Sequence, residues 1–207
     1  MHEPNLRVLT SPTTPPRTVV LVLHGGRPVS RAPVRAAHFA YRRMFPLARA
    51  AHRSDTAVWV LRNRVRGWNE PALDAVGDGR RAVELIRTAH PGSRIALLGH
   101  SMGGRVALRL AGEADVIGVC ALAPWTTEQD PVSQLNGRIV RIAHGDRDLT
   151  TSPQSSAVYA LRARRAGAIV SRQVIRGSGH AMLRHVREWN EQVAAFAGDC
   201  AAVRSSR

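Results

Sequence analysis

Five residues, Gly99-His100-Ser101-Met102-Gly103, stand between an apolar run and an amphipathic one. The run before them, Arg94-Ile95-Ala96-Leu97-Leu98, reads as a buried strand. The segment after them, from Met102 to about Glu113, places Val106, Leu110 and several alanines on one helical face. A serine at such a junction sits on a sharp strand-to-helix turn with its hydroxyl pushed into the open. Glycines at 99 and 103 relieve the crowding that this turn imposes, and Gly104 lets helix and strand approach closely. The pattern G-x-S-x-G occurs by chance in many chains. Flanked by this strand and this helix, it demands a strand end and a helix start at one point.

The rest of the chain supplies such a sheet. Thr18–Leu23 is a continuous β-branched and apolar run, the mark of a strand covered on both faces. A helix is expected from about Val34 to Ala51, with Ala37, Tyr41, Met44 and Ala48 at helical spacing and a kink at Pro46. Thr56–Leu61 reads as a strand, about Leu73–Ala89 as a helix closed by Pro91-Gly92, and Val116–Leu122 and Ile139–Ala143 as two more strands. A helix from about Pro153 to Ala166 carries Val158 and Leu161, and Ile169–Ile175 reads as a more exposed strand. The last helix, about Ala181–Ala197, aligns Leu183, Val186, Trp189, Val193 and Phe196. Leu6–Leu9 is a candidate edge strand.

This alternation predicts an α/β fold: a doubly wound, mainly parallel sheet of about six to seven strands joined by right-handed crossovers. With 207 residues, one domain is expected, its core about 17–198 and its ends, 1–16 and 199–207, peripheral. No apolar run reaches the length of a membrane span, and the first residues lack the layout of a secretory signal, so a cytoplasmic location is expected. Cys120 and Cys200 make no disulfide framework, and no C-x-x-C spacing occurs. The formal charge is +15, and all 30 basic residues are arginine. The arginines are scattered among abundant Ala, Gly, Val and Pro, which fits a compositional bias, and aromatic residues for base stacking are few. No specific nucleic-acid partner is therefore expected, although a mild preference for anionic substrates is compatible with the charge.

In a sheet of this kind ligands bind outside the carboxyl ends of the strands, and the chemistry-bearing residues fall there. Ser101 follows one strand, as candidate nucleophile. His24-Gly25-Gly26 follows Thr18–Leu23, where glycine lets a backbone N–H face a ligand. The two oxyanion donors are assigned to the N–H groups of Met102 and Gly26, with Arg27 as the nearby alternative. Serine needs a base, itself oriented by a carboxylate. His180 is chosen because Gly177-Ser178-Gly179 delivers it from the strand ending at Ile175. For the acid, His144-Gly145-Asp146-Arg147-Asp148 follows Ile139–Ala143. Asp148 lies farther along the loop and reaches across better. Asp146 is the reserve, more suited to binding loop N–H groups. His24, His100 and His144 also lie at strand ends, but no H-E-x-x-H or i,i+4 histidine pair is present, and neither a metal nor a cofactor is called for.

Taken in this order, His-Gly-Gly, Gly-His-Ser-Met-Gly-Gly, His-Gly-Asp-Arg-Asp and Gly-Ser-Gly-His-Ala-Met resemble the α/β-hydrolase superfamily. The similarity is to its small serine hydrolases, dienelactone-hydrolase-like or lysophospholipase-like, over about residues 17–198. Dienelactone hydrolases themselves use a cysteine where this chain has Ser101. The resemblance implies that the carboxylate is the last residue of H-G-x-x-D, again Asp148. Members with large lids insert them after the strand that here ends near Leu122, and Ala123–Arg138 leaves no room for a helical cap. A shallow site for small soluble esters follows, with Arg27, Trp125 and Met182 as candidate pocket residues. The chain is thus expected to cleave carboxylic esters through an acyl-enzyme. Thioesterase or acyltransferase chemistry on the same triad is the alternative, and a non-catalytic interaction protein on this fold is a third.

Overall fold

The computed structural model describes residues 4–203. Seven strands form one sheet: β1 (Asn5–Thr10), β2 (Thr18–Leu23), β3 (Thr56–Arg62), β4 (Arg94–His100), β5 (Val116–Leu122), β6 (Ile139–Gly145) and β7 (Ile169–Ile175). Their order across the sheet is β1-β3-β2-β4-β5-β6-β7. β1 is antiparallel to β3 and forms one edge, while every other pairing is parallel.

The helices are α1 (Phe39–Arg42), α2 (Met44–Ala50), α3 (Asp74–Ala89), α4 (Met102–Leu110), α5 (Pro153–Arg165) and α6 (Val186–Ala202). Alternation along β2 shows how they are layered. Val19, Leu21 and Leu23 pack with Val83 and Ile86 of α3, Val106 and Leu110 of α4, and Tyr159 of α5. Val20 and Val22 face the other way, with Tyr41 of α1, Met44 and Leu47 of α2, and Trp189 and Phe196 of α6. Successive side chains of a strand point to opposite faces, so a strand covered on both sides has every residue buried, as β2 does.

Three helix expectations need correction. The segment 34–51 is not one helix kinked at Pro46: α1 begins only at Phe39, and the break falls at Arg43. Pro46 lies in the first turn of α2, where its missing N–H would have had no intrahelical acceptor. The last helix begins at Val186, five residues later than expected, because His180–His185 form the loop that carries the histidine. Leu183 and Val186 are consequently largely exposed. In α5 the buried face is Ser156, Tyr159, Ala160 and Ala163, leaving Val158 and Leu161 largely outside.

The sheet order also places the site. From β2 the chain passes to β3 on one side, then returns across to β4 on the other. The carboxyl ends of β2 and β4 therefore flank the point where strand order reverses, and a crevice opens there. Gly25-Gly26 and Ser101 are the residues that leave those two ends. Between β5 and β6 the only regular piece is a single 3-10 turn at Ser133–Leu135. No helical cap covers the crevice from that segment.

Candidate active site

Ser101 caps α4 with φ 56° and ψ −119°, a backbone conformation that costs a non-glycine residue about 1–3 kcal/mol. Its surroundings hold it there. Its N–H donates to Leu122 O at 3.0 Å, and its carbonyl accepts from Arg105 N at 3.1 Å and Trp125 N at 3.2 Å. A Cβ on Gly99 would overlap the backbone of Gly103, and one on Gly103 would overlap the carbonyl of Leu23. The two glycines of the motif thus permit the turn and its packing onto β2.

The other two candidates arrive from different strands. His180 Nε2 lies 3.0 Å from Ser101 Oγ, and His180 Nδ1 lies 2.7 Å from Asp148 Oδ2. Ser101 is 8% exposed and Asp148 6% exposed, so the relay sits at the base of the crevice. Asp148 Oδ1 accepts the N–H groups of Thr150 (2.8 Å) and Thr151 (2.9 Å), and Oδ2 accepts the Thr151 hydroxyl at 2.9 Å. His144 Nε2 approaches the same Oδ2 at 3.1 Å. Burial alone would raise the Asp148 pKa. Hydrogen bonds from His144, His180 and the two threonine amides outweigh it and hold the carboxyl well below the usual carboxylate range. Asp146 is exposed and accepts the Gly177 N–H at 2.6 Å, which secures the loop leading to His180.

The backbone of His180 is held as firmly as its ring. Its carbonyl accepts from Arg43 Nη2 at 3.0 Å and from His100 Nε2 at 3.1 Å. Burial, more than the neighbouring charges of Arg43 and His180, keeps His100 neutral. Burial also lowers Arg43 to about 10, against the opposing pull of Asp148. Neither residue was singled out from the sequence as part of this site. Nor was His144, which reads locally as a turn histidine.

Gly26 and Met102 lie against one another. A Cβ on Gly26 would overlap Met102 Sδ and Cε and the carbonyl of Arg66. Met102 is the first residue of α4, whose opening N–H groups have no acceptor within the helix. Arg27 does not serve as the alternative donor, because its N–H donates to Arg66 O at 2.8 Å. His24 secures the turn: its Nδ1 bonds to Gly25 O at 2.7 Å, so Nε2 is free to accept Asn63 N–H at 3.2 Å. Burial pushes the His24 pKa down to about 4, and the nearby charges of His38 and Arg62 add to this.

The three candidate pocket residues occupy three separate clefts. Arg27 lines one of about 190 Å³ with Gly26, His38, Phe39 and Arg66. Met182 lines a mostly apolar one of about 240 Å³ with Phe39, Arg43, Leu183 and Val186. Trp125 lines one of about 430 Å³ with Trp68, Glu70, Arg105 and Arg109. In the last, the Arg105 guanidinium lies over both indole rings, 4.3 Å from the centroid of Trp68 and 4.5 Å from that of Trp125. Its Nε reaches both oxygens of buried Asp130 at 2.9 Å. Among the described residues, no group of three or more His, Cys, Asp or Glu side chains is placed to hold a metal ion.

The fold and this crevice define an α/β serine hydrolase without a lid. The chain belongs to the family described as Serine aminopeptidase, S33, which matches residues 14–196. No curated protein matches its sequence. Among solved structures it is similar to Est1E from Butyrivibrio proteoclasticus with ferulic acid bound, at a TM-score of 0.74 and 14% identity over 97% of this chain and 96% of that one. It is also similar to a serine hydrolase without lid from Xanthomonas campestris (TM-score 0.69, 17% identity, 98% and 97% covered). A third is the monoacylglycerol lipase of Paleococcus ferrophilus (TM-score 0.69, 13% identity, 95% and 99% covered). Among the described residues, no helix is long and apolar enough to cross a membrane.

Proposed function

We propose that this protein hydrolyses carboxylic esters of small substrates through an acyl-enzyme on Ser101. The observation that carries the reading is the continuous relay Ser101 Oγ, His180, Asp148, with spacings of 3.0 and 2.7 Å. His180 Nε2 takes the hydroxyl proton as Oγ attacks the ester carbonyl. Asp148 accepts from Nδ1–H, fixes the tautomer and balances the imidazolium. The amides of Gly26 and Met102 receive the charge on the tetrahedral oxyanion. His180 then protonates the departing alkoxide as the C–O bond breaks. A water molecule, losing its proton to His180, attacks the acyl-enzyme; collapse releases the acid and restores Ser101.

Esters are favoured over the peptide substrates in the family's description by the charge at the site. An aminopeptidase must hold a cationic α-amino group, which a carboxylate beside the scissile bond would do. The cleft next to Gly26 carries Arg27, Arg66 and His38 and no acid. The absence of a cap after β5 favours small substrates over those that need an enclosing lid.

The test uses a short 4-nitrophenyl ester and a fluorophosphonate probe. Wild type should turn over the ester and become labelled on Ser101, and Ser101→Ala should do neither. Unchanged turnover and labelling in Ser101→Ala would sink the proposal.

A further inference from the structure

The arginines are unevenly matched by acids. Between residues 24 and 66 the chain has ten arginines and a single acidic residue, Asp55. Of these ten, Arg64 alone has an ion pair among the described residues, with Asp74 and Asp78 across the loop. Elsewhere Arg105 and Arg109 share Asp130, and Arg105 also lies 3.9 Å from Glu70. Of the nine without an ion pair, Arg27, Arg31, Arg35 and Arg66 lie on the two loops that leave β2 and β3, the loop of Gly26 included.

Those two loops are joined into one rim. Arg27 N donates to Arg66 O and Trp68 N to Arg27 O, both at 2.8 Å, and Arg66 N donates to Ala32 O at 2.9 Å. Val34 N donates to Arg64 O at 3.2 Å. Asn69 closes the far end: its Oδ1 accepts Ser30 N–H at 2.8 Å while its amide nitrogen donates to Ser30 O at 3.1 Å. The backbones of Arg27 and Arg66 are thereby held side by side, and both residues line the cleft of about 190 Å³ that Gly26 opens into. Arg62 lines the adjoining cleft, and Val34 is common to both. The planar fork of a guanidinium is pre-organised, so it loses less entropy per hydrogen bond formed and matches a carboxylate with two parallel hydrogen bonds. A cationic group gains nothing from such a rim.

We infer that the cleft of Arg27 and Arg66 is an anion subsite, and that the preferred substrates are esters carrying a second, free carboxylate. This rests on the reading of Ser101 as the nucleophile and adds the class of ester to it. Hydrolysis itself is unchanged: the subsite carboxylate stays ionised and takes no proton in the reaction.

Two matched pairs of esters test the subsite on both sides of the scissile bond. On the acyl side, mono-4-nitrophenyl glutarate is compared with its methyl ester. On the alcohol side, 4-acetoxybenzoate is compared with methyl 4-acetoxybenzoate, each corrected for its rate with hydroxide. In wild type at low ionic strength, kcat/KM should favour the anion by about tenfold in at least one pair, the scale of one or two charge-assisted hydrogen bonds. That ratio should shrink as sodium chloride is raised, because the rim is open to solvent. The Arg27→Gln/Arg66→Gln double variant should bring the ratio to about one. Arg187→Gln, on the exposed face of α6 where Arg187 pairs with Glu191, should leave it as in wild type. A wild-type ratio of one or below in both pairs, with Ser101 still labelled by fluorophosphonate, overturns the subsite alone. So does a ratio that survives in the double variant. Absence of labelling on Ser101 overturns the subsite and the hydrolase reading together.

Discussion

His144 Nε2 lies 3.1 Å from Asp148 Oδ2, the oxygen that His180 Nδ1 approaches to 2.7 Å. His144 is fully buried, and its Nδ1 meets the Ser156 hydroxyl at 2.8 Å. Two imidazoles on one carboxylate oxygen divide its charge. His144→Leu should therefore leave Asp148 less strongly held as the carboxylate, its pKa raised from that in wild type. kcat itself should fall about tenfold as Asp148 loses one anchor, equivalent to about 1.4 kcal/mol of barrier. His180 itself stays in contact with Asp148, His100, Arg43 and the Thr151 hydroxyl. A kcat within about twofold of wild type would mean that His144 only fills space.

The two aspartates of the loop after β6 should separate cleanly. Asp148→Asn presents the wrong partner to His180 Nδ1 and should lower kcat by about 10⁴-fold. Asp146→Asn keeps an oxygen for the Gly177 N–H at 2.6 Å and should stay within about threefold of wild type, the scale of a modest change in one hydrogen bond. Steady-state rates on one ester decide the matter, and the reverse order would make Asp146 the acid.

Gly26→Ala should inactivate without unfolding. The added methyl group overlaps the Arg66 carbonyl and the Met102 side chain, so the turn must withdraw from the oxyanion position. The loss of one oxyanion donor costs about 10²–10³ in kcat. The fluorophosphonate labelling rate should fall in parallel, while far-ultraviolet circular dichroism stays as in wild type. Retained labelling would place the second donor elsewhere.

Arg105→Ala is expected to damage stability more than chemistry. It removes the planar cation between Trp68 and Trp125 and deprives buried Asp130 of its two-oxygen partner, leaving Arg109 at 3.2 Å. Breaking a buried pair in this way costs about 3–5 kcal/mol. Arg105→Lys should recover little of it, since ammonium lacks the planar fork. Urea unfolding followed by tryptophan fluorescence measures both variants, and a loss below about 1 kcal/mol, the range of exposed pairs, would contradict this.

Stability should also decline below neutral pH. Burial first, and the charges of His38 and Arg62 after it, hold His24 at about 4 instead of 6.5, against its bond to Gly25 O. The unfolded chain then takes the proton first. Stability from this group is complete above 6.5 and is lost as pH falls toward 4, by about 3 kcal/mol. His100, neutral through burial, acts in the same direction. Urea midpoints between pH 7 and pH 4 should fall steeply in wild type and less steeply in His24→Gln. Equal slopes would show that another group governs the decline.

Much of the fold was readable because its signals are local. β2, β5 and β7 have the bounds that their residue patterns predict: apolar and β-branched runs mark β2 and β5, and a run with Ser171-Arg172-Gln173 at its centre marks the more exposed β7. Helix starts were harder. The stripe at Leu183 and Val186 has helical spacing, yet the loop carrying His180 takes those residues out of the core. Val158 and Leu161 were misread for a related reason. The face that α5 buries is decided by the small residues Ser156, Ala160 and Ala163 fitting against the sheet, and hydrophobicity alone does not report fit.

For the site, the chain order Ser101, Asp148, His180 and the glycines around them were legible as sequence, because each lies within a few residues of a strand end. Which groups lean on them was not. His144 and His180 are 36 positions apart in the chain and meet on Asp148 only because β6 and β7 pair in parallel. Arg43 reaches the His180 carbonyl from the junction of α1 and α2, 137 positions away in the chain. The same holds for charge. Composition alone determined a strongly basic protein, and the sequence shows ten arginines to one acid between residues 24 and 66 without showing which of them find a partner. Only folding set Arg105 and Arg109 against Asp130 and left Arg27 and Arg66 unmatched beside Gly26. Local periodicity records what each segment prefers. It carries no record of which distant segment it will meet, and electrostatic pairing depends on that meeting.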